Sequence, residues 1–540
     1  MNHKTVQKSG FPALAVISGA VILGTIIARL MPGLRTIDDA YITFRYARNL
    51  LSGLGFTYNP GEFIQGTTTP LYTLLLTFFG FFAGGPSAPF PWIALLLNTA
   101  ADTLTVFLLI KFGQVLDRPA AGPAAGAVWM IAPFSVTFAV GGLETSFYIL
   151  LLTASAYFYL VRRFRITALL ASLALITRPD ALILAALLIG DRFRVRYQKY
   201  RGTAGKEKIF SRQLLQEIFI FLLPLIVWYG FAWLYFGSPI PHSVTAKTMA
   251  YRLSPTSALT RLLQHYATPF LGQHTFGTRW IPIGLVFYPF LALVGSREAW
   301  KVNPRALPWL LYPWLYLTVF AAANPLIFRW YLTPPLPAYF LSIMIGAENL
   351  LRTIFRRGQT RQFKDGPKGL ILIASLVLIL PFLLTLQGWT LKPDHGPNRP
   401  APKMAWFKVE LLYHRAADLV ITDLREAGRQ AGPWGPVLAA GDVGVLGYVT
   451  GLPILDTVGL NSAQALEYYP LPESAYLINY AVPAELILDN LPDYLIILEI
   501  YGRNTLLPNK TFQEKYHLLE KIPTDIYNSR GMLIYKRRGP

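Results

Sequence analysis

The sequence contains no cysteine and comparatively few charged residues. Without cysteine, disulfide bonds and thiolate metal sites are excluded. Charged residues make up 14% of the 540 residues, whereas about 25% is usual in a soluble globular protein. Hydrophobic residues make up 53%, and they occur in blocks of roughly 15 to 22, about the length that crosses a bilayer. The sequence therefore predicts a polytopic α-helical membrane protein.

Acidic residues are scarce, with 29 Asp and Glu against 49 Lys and Arg, which gives a net charge of +20. The excess is local: Asp191–Arg212 holds eight basic and two acidic residues, and Arg352–Lys368 holds six and one. Both stretches lie between apolar blocks, as cytoplasmic loops do, so the charge indicates orientation rather than nucleic-acid binding. Lys4 and Lys8 precede the first apolar run, which predicts a retained first span with a cytoplasmic N-terminus.

The apolar blocks predict about 11 to 13 membrane helices. The predicted spans are Phe11–Leu30, Trp92–Ile110, Gly122–Val140, Phe147–Val161, Ile166–Thr177, Ala181–Gly190, Ile218–Phe236, Ile281–Val294, Leu307–Ala323, Tyr331–Ala347 and Gly369–Gln387. Pro70–Ala83 is too short for a crossing and is interpreted as re-entrant or interfacial. Residues 1–388 are expected to form a membrane domain, and residues 389–540 an extracytoplasmic domain.

The C-terminal region has a different composition, with short apolar runs separated by Gly, Pro and Asp. Val437–Ala440, Pro453–Leu455 and Tyr494–Leu498 are predicted to be buried strands, with a turn or helix at Gly444–Tyr448. Leu391–Pro402 contains four prolines and is interpreted as a linker. We expect a small α/β domain.

Asp38 and Asp39 stand side by side just after the first span. One interpretation is structural: Asp38 caps a helix Ala40–Leu51, whose dipole tolerates both charges. The other is catalytic, because adjacent carboxylates near a low-dielectric surface raise each other's pKa and can abstract a proton. Asp442 and Asp456, at the ends of predicted strands, are expected to be turn formers.

The first outer loop carries Asp38-Asp39-Ala40-Tyr41, then Tyr58-Asn59-Pro60-Gly61-Glu62 and Gly66-Thr67-Thr68-Thr69-Pro70-Leu71. This pattern resembles the GT-C superfamily of membrane glycosyltransferases. It is similar in particular to mycobacterial terminal arabinofuranosyltransferases and to related prokaryotic enzymes with a C-terminal extracytoplasmic domain. Shorter similarities follow at Gly142-Leu143-Glu144-Thr145, Thr177-Arg178-Pro179-Asp180, Pro239–Lys247 and Arg329-Trp330-Tyr331.

The resemblance implies catalytic and substrate-binding roles for the acids of this loop. The family's first-loop acid is the catalytic base, a role that falls on Asp38 with Asp39 as the close second. Glu144 matches a second acid position of the family, or else begins a helix. Glu62 is expected to bind substrate. Thr68-Thr69 stands where aminoarabinose transferases have a Glu-Lys pair, which argues against a metal site of that kind. The sequence does not decide whether the protein uses a divalent metal such as Mg²⁺ or Mn²⁺ as a cofactor.

Four basic residues are candidates for binding the donor phosphate. Arg178 matches phosphate geometry, although it could also snorkel to the membrane interface. His242 and Lys247 lie in a second outer loop that closes over the donor in the family. Arg329, beside the predicted substrate-binding Tyr331, either holds phosphate or lies among lipid headgroups.

These features together predict an inverting glycosyltransferase that uses a polyprenyl-phosphate-linked sugar at the outer face of a prokaryotic plasma membrane. The acceptor would be a cell-envelope glycan, lipid or protein. A transporter or flippase of lipid-linked sugars is the alternative, and a structural scaffold is a third. The sequence has no Walker loop, which argues against ATP-driven transport. It also lacks the repeated halves that are common in transporters.

Overall fold

The computed structural model describes residues 11–203, 209–358, 379–391, 399–405 and 407–539. The N-terminal region is helical: α1 Phe11–Leu30, α2 Asp38–Leu51, α3 Pro70–Phe82, α4 Phe90–Val115, α5 Ala121–Ile131, α6 Pro133–Val140, α7 Thr145–Leu160, α8 Phe164–Thr177, α9 Leu182–Gly202, α10 Arg212–Phe236, α11 His242–Ala250, α12 Ser257–Ala267, α13 Gln273–Phe276, α14 Trp280–Val302, α15 Leu307–Ala323, α16 Leu336–Gly358 and α17 at 379–386.

Within the described residues, five helices are long and apolar enough to cross a membrane by themselves. They are α1, α4, α10, α14 and α15. The helices α5 and α6 join end to end with a bend of 52°, the geometry of either a broken span or a re-entrant loop. Pro133 at the start of α6 explains the break, since proline ends the preceding helix. The chain is thus a multi-pass membrane protein, as predicted. The predicted basic loop 352–368 and last span 369–387 lie mostly outside the described residues.

The short apolar block after the first outer loop forms α3, a helix of 13 residues. It is shorter than a bilayer crossing requires. Phe78, Phe81 and Phe82 are exposed on its outer side, while Tyr72 and Leu76 are buried against the rest of the protein. This agrees with the interpretation of the segment as something other than a full span.

A buried ion pair joins α1 to α4 inside the apolar region. Arg29 Nε lies 2.9 Å from Asp102 Oδ2, and both side chains are inaccessible to solvent. Trp129 Nε1 and Ser146 Oγ also donate to the Asp102 carboxylate, at 3.3 and 3.1 Å. Charges at membrane depth are tolerated when they are paired and hydrogen-bonded, so this cluster fixes the packing of the first helices.

The C-terminal region forms an α/β domain around a mixed five-stranded sheet. Its elements are β1 Trp389–Thr390, β2 Ala401–Pro402, α18 Lys408–Glu426, β3 Leu438–Ala440, α19 Gly444–Thr450, β4 Ile454–Asp456, α20 Ala484–Asn490, β5 Tyr494–Leu498, α21 Glu499–Gly502, α22 Lys510–Lys515, β6 Tyr516–Ile522 and β7 Met532–Arg537. The sheet order is β4-β3-β5-β7-β6. The strand β3 is parallel to β4 and β5, and β7 is antiparallel to β5 and β6.

The predicted strands correspond to β3, β4 and β5, and the predicted turn or helix corresponds to α19. The two strands at the C-terminal end, β6 and β7, were not predicted. The predicted linker contains β2 and residues 392–398, which lie outside the described residues. The predicted domain boundary at residue 388 stays a prediction.

The first outer loop and the C-terminal domain share one hydrophobic core. Phe44 and Ala47 of α2 pack in the same cluster as Val445 and Leu446 of α19 and Val420 of α18. As a result α2 is buried on nearly all of its faces rather than on one. The site described below lies where this shared core meets the membrane helices.

Candidate active site

The two adjacent aspartates lie in the first turn of α2, with Ile37 at the N-cap position. The N-cap residue makes no side-chain capping hydrogen bond, and Asp38 lies inside the helix rather than before it, so the structural interpretation of Asp38 as the cap of α2 was wrong. Because neighbouring residues on a helix point about 100° apart, the two carboxylates face different surroundings. Asp38 is buried against the C-terminal domain, whereas Asp39 is half-buried.

Asp38 holds the start of α19 in the C-terminal domain. Its Oδ2 accepts a hydrogen bond from the Gly444 amide at 2.9 Å, and its Oδ1 accepts one from the Val445 amide at 2.7 Å. These amides lack partners within their own helix, so the carboxylate caps α19 from a distant part of the chain. Burial and the nearby charge of Asp442 raise the pKa of Asp38 well above its usual range, although the two amides oppose the shift.

The Tyr-Asn-Pro-Gly-Glu segment also binds the C-terminal domain. Asn59 pairs with Ile454 at the start of β4 in the manner of a neighbouring strand: its Nδ2 donates to the Ile454 carbonyl at 2.9 Å, and its Oδ1 accepts from the Ile454 amide at 3.0 Å. Glu62 Oε2 accepts from Asn59 Nδ2 at 3.1 Å. Glu62 lies outside both cavities described below, so the structure places it as a support for Asn59.

Arg45 completes this docking surface. Its guanidinium lies over the Tyr58 ring at 4.2 Å, and its Nη2 donates to the Leu452 carbonyl at 2.8 Å. The Tyr58 hydroxyl donates to the Val443 carbonyl at 2.6 Å. Much of the motif that marks the first outer loop therefore joins the two parts of the chain.

A cavity of about 250 Å³, here named the loop cavity, lies among the loops of the membrane domain. Its polar lining contains Asp39, Thr67, Thr68, Thr69, Glu144, Arg178, Asp180, Ser243, Lys247 and Tyr331. Five of the predicted site residues thus come together in one cavity, although they are separated by up to 292 positions in the chain (331 − 39).

Arg178 lies at the loop cavity with its charge balanced by two carboxylates. Its Nε and Nη2 donate to Asp180 at 2.9 and 3.2 Å, and its Nη1 donates to Glu144 at 3.3 Å. Its guanidinium lies between the rings of Tyr148 and Tyr331, 5.0 and 4.8 Å from their centroids. The group is therefore held rigidly, and Glu144 serves as an anchor for it.

Lys247, on α11, supplies a second positive charge to the loop cavity. Its Nζ lies 5.1 Å from the centroid of the Phe328 ring, and its charge lowers the pKa of Asp39, which burial raises. On the same helix, the Ser243 hydroxyl is buried in the cavity lining and has no hydrogen-bond partner among the described residues. Such an oxygen is expected to bind a ligand or water.

His242 lies at the start of α11, next to the loop cavity but outside its lining. Its backbone amide donates to the Gln65 carbonyl at 2.9 Å. Burial lowers the pKa of the imidazole, and a hydrogen bond to the Gly459 backbone opposes this shift. The ring is consequently biased toward its neutral form, which makes it a weaker phosphate ligand than the sequence suggested.

A second cavity of about 400 Å³, here named the interface cavity, lies between the membrane domain and the C-terminal domain. Its charged lining consists of Asp38, Asp39, Arg261, Arg329, Glu410 and Asp442. Its aromatic lining consists of Phe138, Tyr251, Phe328, Trp330, Tyr413, Tyr480, Tyr501 and Tyr527. Arg329 is therefore found here, and not in the loop cavity with the other predicted phosphate ligands.

Asp39 and Trp330 line both cavities, so the two cavities meet at these side chains. Across the interface cavity lies Asp442, just after β3, and burial raises its pKa to about 6 while a hydrogen bond from the Tyr413 hydroxyl opposes the shift. Asp442 lies in a bend, but no local backbone amide among the described residues is seen to donate to its carboxylate, so the expectation that it is a turn former stays a prediction. The same expectation for Asp456 is confirmed, because its carboxylate accepts hydrogen bonds from the Val458, Gly459 and Asn461 amides at 2.9 to 3.0 Å.

The described residues contain no group of three or more His, Asp or Glu side chains placed to hold a metal ion. The predicted divalent metal stays a prediction, and the side chains described above do not form a ready site for it.

The sequence gave little indication that Asp442 and Glu410 belong to this site. They lie at least 372 positions after Asp38 in the chain (410 − 38 = 372), and a single sequence does not show which distant residues meet. Asp442 at a strand end was the one available sign, since ligands of α/β domains often bind at carboxyl ends of strands. Ser243 and Asp180 were visible only as members of motifs.

Solved structures with similar folds identify the class. The structure of ArnT from Cupriavidus metallidurans bound to undecaprenyl phosphate matches with a TM-score of 0.55 at 10% identity, covering 98% of this chain and 100% of that chain. An Archaeoglobus fulgidus oligosaccharyltransferase in complex with Zn and sulfate matches with a TM-score of 0.54 at 11% identity, covering 96% of this chain and 73% of that chain. The chain therefore has the GT-C fold of membrane glycosyltransferases, as the first-loop motif predicted.

A curated relative is similar in sequence over a shorter stretch. The terminal β-(1→2)-arabinofuranosyltransferase of Mycobacterium tuberculosis is 33% identical over 115 residues, which cover 20% of this chain and 18% of the relative. The aligned region is thus less than a fifth of that protein. Residues 417–535 match a family model described as a domain of unknown function, DUF8728. This match contains most of the C-terminal sheet.

Proposed function

We propose that the protein is an inverting glycosyltransferase that moves a sugar from a polyprenyl-phosphate donor to a hydroxyl group of a cell-envelope acceptor. The observation that carries the proposal is the position of Asp39 at the meeting point of two cavities. One cavity presents a cation and hydroxyl groups, which suit a phosphate. The other is rich in aromatic side chains. A carboxylate between them can reach an acceptor hydroxyl as it approaches the donor.

Asp39 is the proposed general base, and Asp38 the residue that positions it. Both oxygens of Asp38 are occupied by the α19 amides, which leaves the carboxylate poorly placed to take a proton. Burial raises the pKa of Asp39, which brings a carboxylate closer to the range in which it abstracts protons effectively. The charge of Lys247 opposes this shift.

The reaction is a single displacement at the anomeric carbon. The acceptor oxygen bonds to that carbon and its proton passes to Asp39, while the bond from the carbon to the phosphate oxygen breaks and its electron pair leaves with the phosphate. Lys247 and the Ser243 hydroxyl face the departing phosphate in the proposal. A well-placed group of this kind contributes a few kcal/mol to stabilising the developing charge.

Arg178 and Glu144 support this arrangement. Because the Arg178 donors engage Glu144 and Asp180, we assign Arg178 a positioning role in the cavity wall rather than a direct contact with the phosphate. Glu144 is the anchor of that arginine, so it is not available as the nucleophile that a retaining route would require. Tyr331 stacks on Arg178 and completes the wall.

The identities of donor and acceptor follow from the comparisons as hypotheses. The similarity to an arabinofuranosyltransferase makes polyprenyl-phosphate arabinofuranose the first donor to test, and the ArnT complex supports a polyprenyl-phosphate carrier. The basic loop within Asp191–Arg212 is assigned to the cytoplasm. This orientation puts both cavities and the C-terminal domain on the outer face.

The test is transfer by the purified full-length protein in nanodiscs. Decaprenyl-phosphate arabinofuranose and undecaprenyl-phosphate aminoarabinose, mannose and glucose are each incubated with a glycan acceptor mixture from envelope preparations. Mass spectrometry should show free polyprenyl phosphate and a glycosylated product from one donor, and both should form far more slowly with Asp39→Asn.

A wild-type protein that moves labelled lipid-linked sugar across a vesicle membrane without forming any product would instead support the transport alternative. Release of polyprenyl phosphate at the same rate by wild type and Asp39→Asn would overturn the assignment of the base.

A further inference from the structure

Glu410 has one buried carboxylate oxygen for which the described part of the chain supplies no hydrogen-bond partner. It lies in the first turn of α18, is 1% exposed and lines the interface cavity. Its Oε1 accepts a hydrogen bond from the Asp38 backbone amide at 3.4 Å. Its Oε2 is buried and has no hydrogen-bond partner among the described residues.

The position of Glu410 in the structure explains the contacts of only one of its two carboxylate oxygens. An acidic residue in a first turn interacts favourably with the dipole of its own helix, and Oε1 is in addition bound by the first amide of α2. Such a residue does not need to be buried, and a buried carboxylate oxygen without a donor is costly. The cost is recovered when a ligand in the interface cavity supplies a hydrogen-bond donor.

The other groups around Glu410 indicate the kind of ligand. Four carboxylates line the interface cavity, those of Asp38, Asp39, Glu410 and Asp442. Carboxylates accept hydrogen bonds, so they suit a ligand that carries several hydroxyl groups. The five tyrosine rings and Trp330 offer apolar faces together with hydroxyl or N–H groups. A sugar ring has both features, apolar C–H faces and a rim of hydroxyls.

Arg261 and Arg329 also line this cavity, which raises the alternative of an anionic acceptor. The lining argues against that alternative, because it holds four carboxyl groups against two arginines. Burial and the nearby charge of Asp38 raise the pKa of Glu410 well above its usual range, and an anion bound beside it would be repelled by the ionised carboxylates around it. A neutral sugar avoids this repulsion. Arginine can donate to a sugar hydroxyl oxygen as well as to an anion, so the two arginines are compatible with a neutral ligand.

We propose that the acceptor is a neutral, hydroxyl-rich saccharide and that Glu410 of the C-terminal domain binds one of its hydroxyls in the interface cavity. This proposal rests on the proposed function, in which the interface cavity holds the acceptor. It makes the C-terminal domain part of the acceptor site, with Glu410 as a specificity-determining residue rather than a catalytic one.

The experiment compares wild type, Glu410→Gln, Asp442→Asn and the control Glu426→Gln, all as full-length protein in nanodiscs. Glu426 ends the same helix and is exposed. Binding of n-octyl arabinofuranobioside, n-octyl mannobioside and a phosphorylated mannobioside is measured by tryptophan fluorescence without donor. The acceptor KM and the kcat of transfer are measured separately, and thermal unfolding checks folding.

Wild type and Glu426→Gln should bind a neutral glycoside. Glu410→Gln should bind it roughly tenfold more weakly, because an NH₂ group replaces Oε2 and cannot accept the hydrogen bond from the sugar hydroxyl. The same variant should raise the acceptor KM with little change in kcat. Asp442→Asn should also weaken binding while remaining folded, which keeps the test informative if Glu410→Gln unfolds.

Equal binding by wild type and Glu410→Gln would overturn the inference, and so would binding of the phosphorylated glycoside alone or of none of the three. These results leave the proposed function standing if donor is still consumed. Conversely, absence of donor consumption in wild type with intact glycoside binding would refute the transferase and retain the sugar site.

Discussion

The loop cavity and the interface cavity meet at Asp39, yet they are built from different parts of the chain and treat charge differently. In the loop cavity, Arg178 is balanced by Glu144 and Asp180. In the interface cavity, the carboxylates of Glu410 and Asp442 lie among aromatic rings. The comparison shows that the loop cavity is formed almost entirely by the membrane domain, whereas the interface cavity requires the C-terminal domain.

The largest expected effect is at the meeting point of the cavities. Asp39→Asn removes the proposed base but keeps the shape of the side chain, so we expect transfer to fall by roughly 10² to 10⁴-fold, the usual contribution of a general base. The rate of product formation measures it, with Asp117→Asn as the control because Asp117 is 81% exposed. Near-normal transfer by Asp39→Asn would show that Asp39 is not the general base, and the assignment of different roles to Asp38 and Asp39 would fail.

Lys247→Met tests the charge of the loop cavity. We expect kcat/KM for the donor to fall by roughly 10²-fold, since one well-placed donor to developing charge is lost. The control Lys515→Met changes an exposed lysine of the C-terminal domain.

The pH profile of Lys247→Met gives a second, independent reading. Lys247 lowers the pKa of Asp39, so its removal raises that pKa. The base is active when ionised, and its ionised form is lost as the pH falls through the pKa. The acidic limb of the kcat/KM profile should therefore move to higher pH in the variant. A limb that stays in place, or moves to lower pH, would separate Lys247 from Asp39.

Gly444→Ala tests whether the interface cavity needs close docking of the C-terminal domain. A Cβ at Gly444 would collide with the Asp38 carbonyl oxygen, and overpacking of this kind costs about 1–3 kcal/mol or more. We expect a lower unfolding temperature and weaker acceptor binding. In the same domain, a Cβ at Gly432 would meet no described atom within 4 Å, so Gly432→Ala should behave as wild type.

Asp38→Asn should give the smallest change. An amide side chain can accept from one of the α19 amides but presents its NH₂ to the other, which costs about 1–3 kcal/mol for the unsatisfied group. Thermal unfolding should shift downward, while the residual activity should exceed that of Asp39→Asn. If the two variants lose transfer equally without loss of stability, both aspartates act in the chemistry.

The sequence predicted well those helices and strands whose formation depends on residues close together in the chain. Long apolar blocks predicted the spans, and the buried runs predicted β3, β4 and β5. The strand β6 was missed because it lies at the edge of the sheet, where His517, Glu520 and Lys521 replace the apolar residues of a buried strand.

The site was predicted in part for the same reason. The aspartate pair, Arg178 and Lys247 stood out because charged residues are rare beside apolar blocks. The division of labour between Asp38 and Asp39 was not predictable, because it depends on amides 406 and 407 positions away along the chain. Long-range contacts of this kind leave no local pattern in one sequence.

The seating of Gly444 against the Asp38 backbone has a practical consequence for protein engineering. A chimera that exchanges the C-terminal domain with that of another protein would have to exchange the first outer loop with it. The hydrogen bonds from Asn59 to Ile454 and from Arg45 to Leu452 impose the same requirement. The smallest unit that can be transplanted is therefore discontinuous: residues 31–70 together with the C-terminal domain.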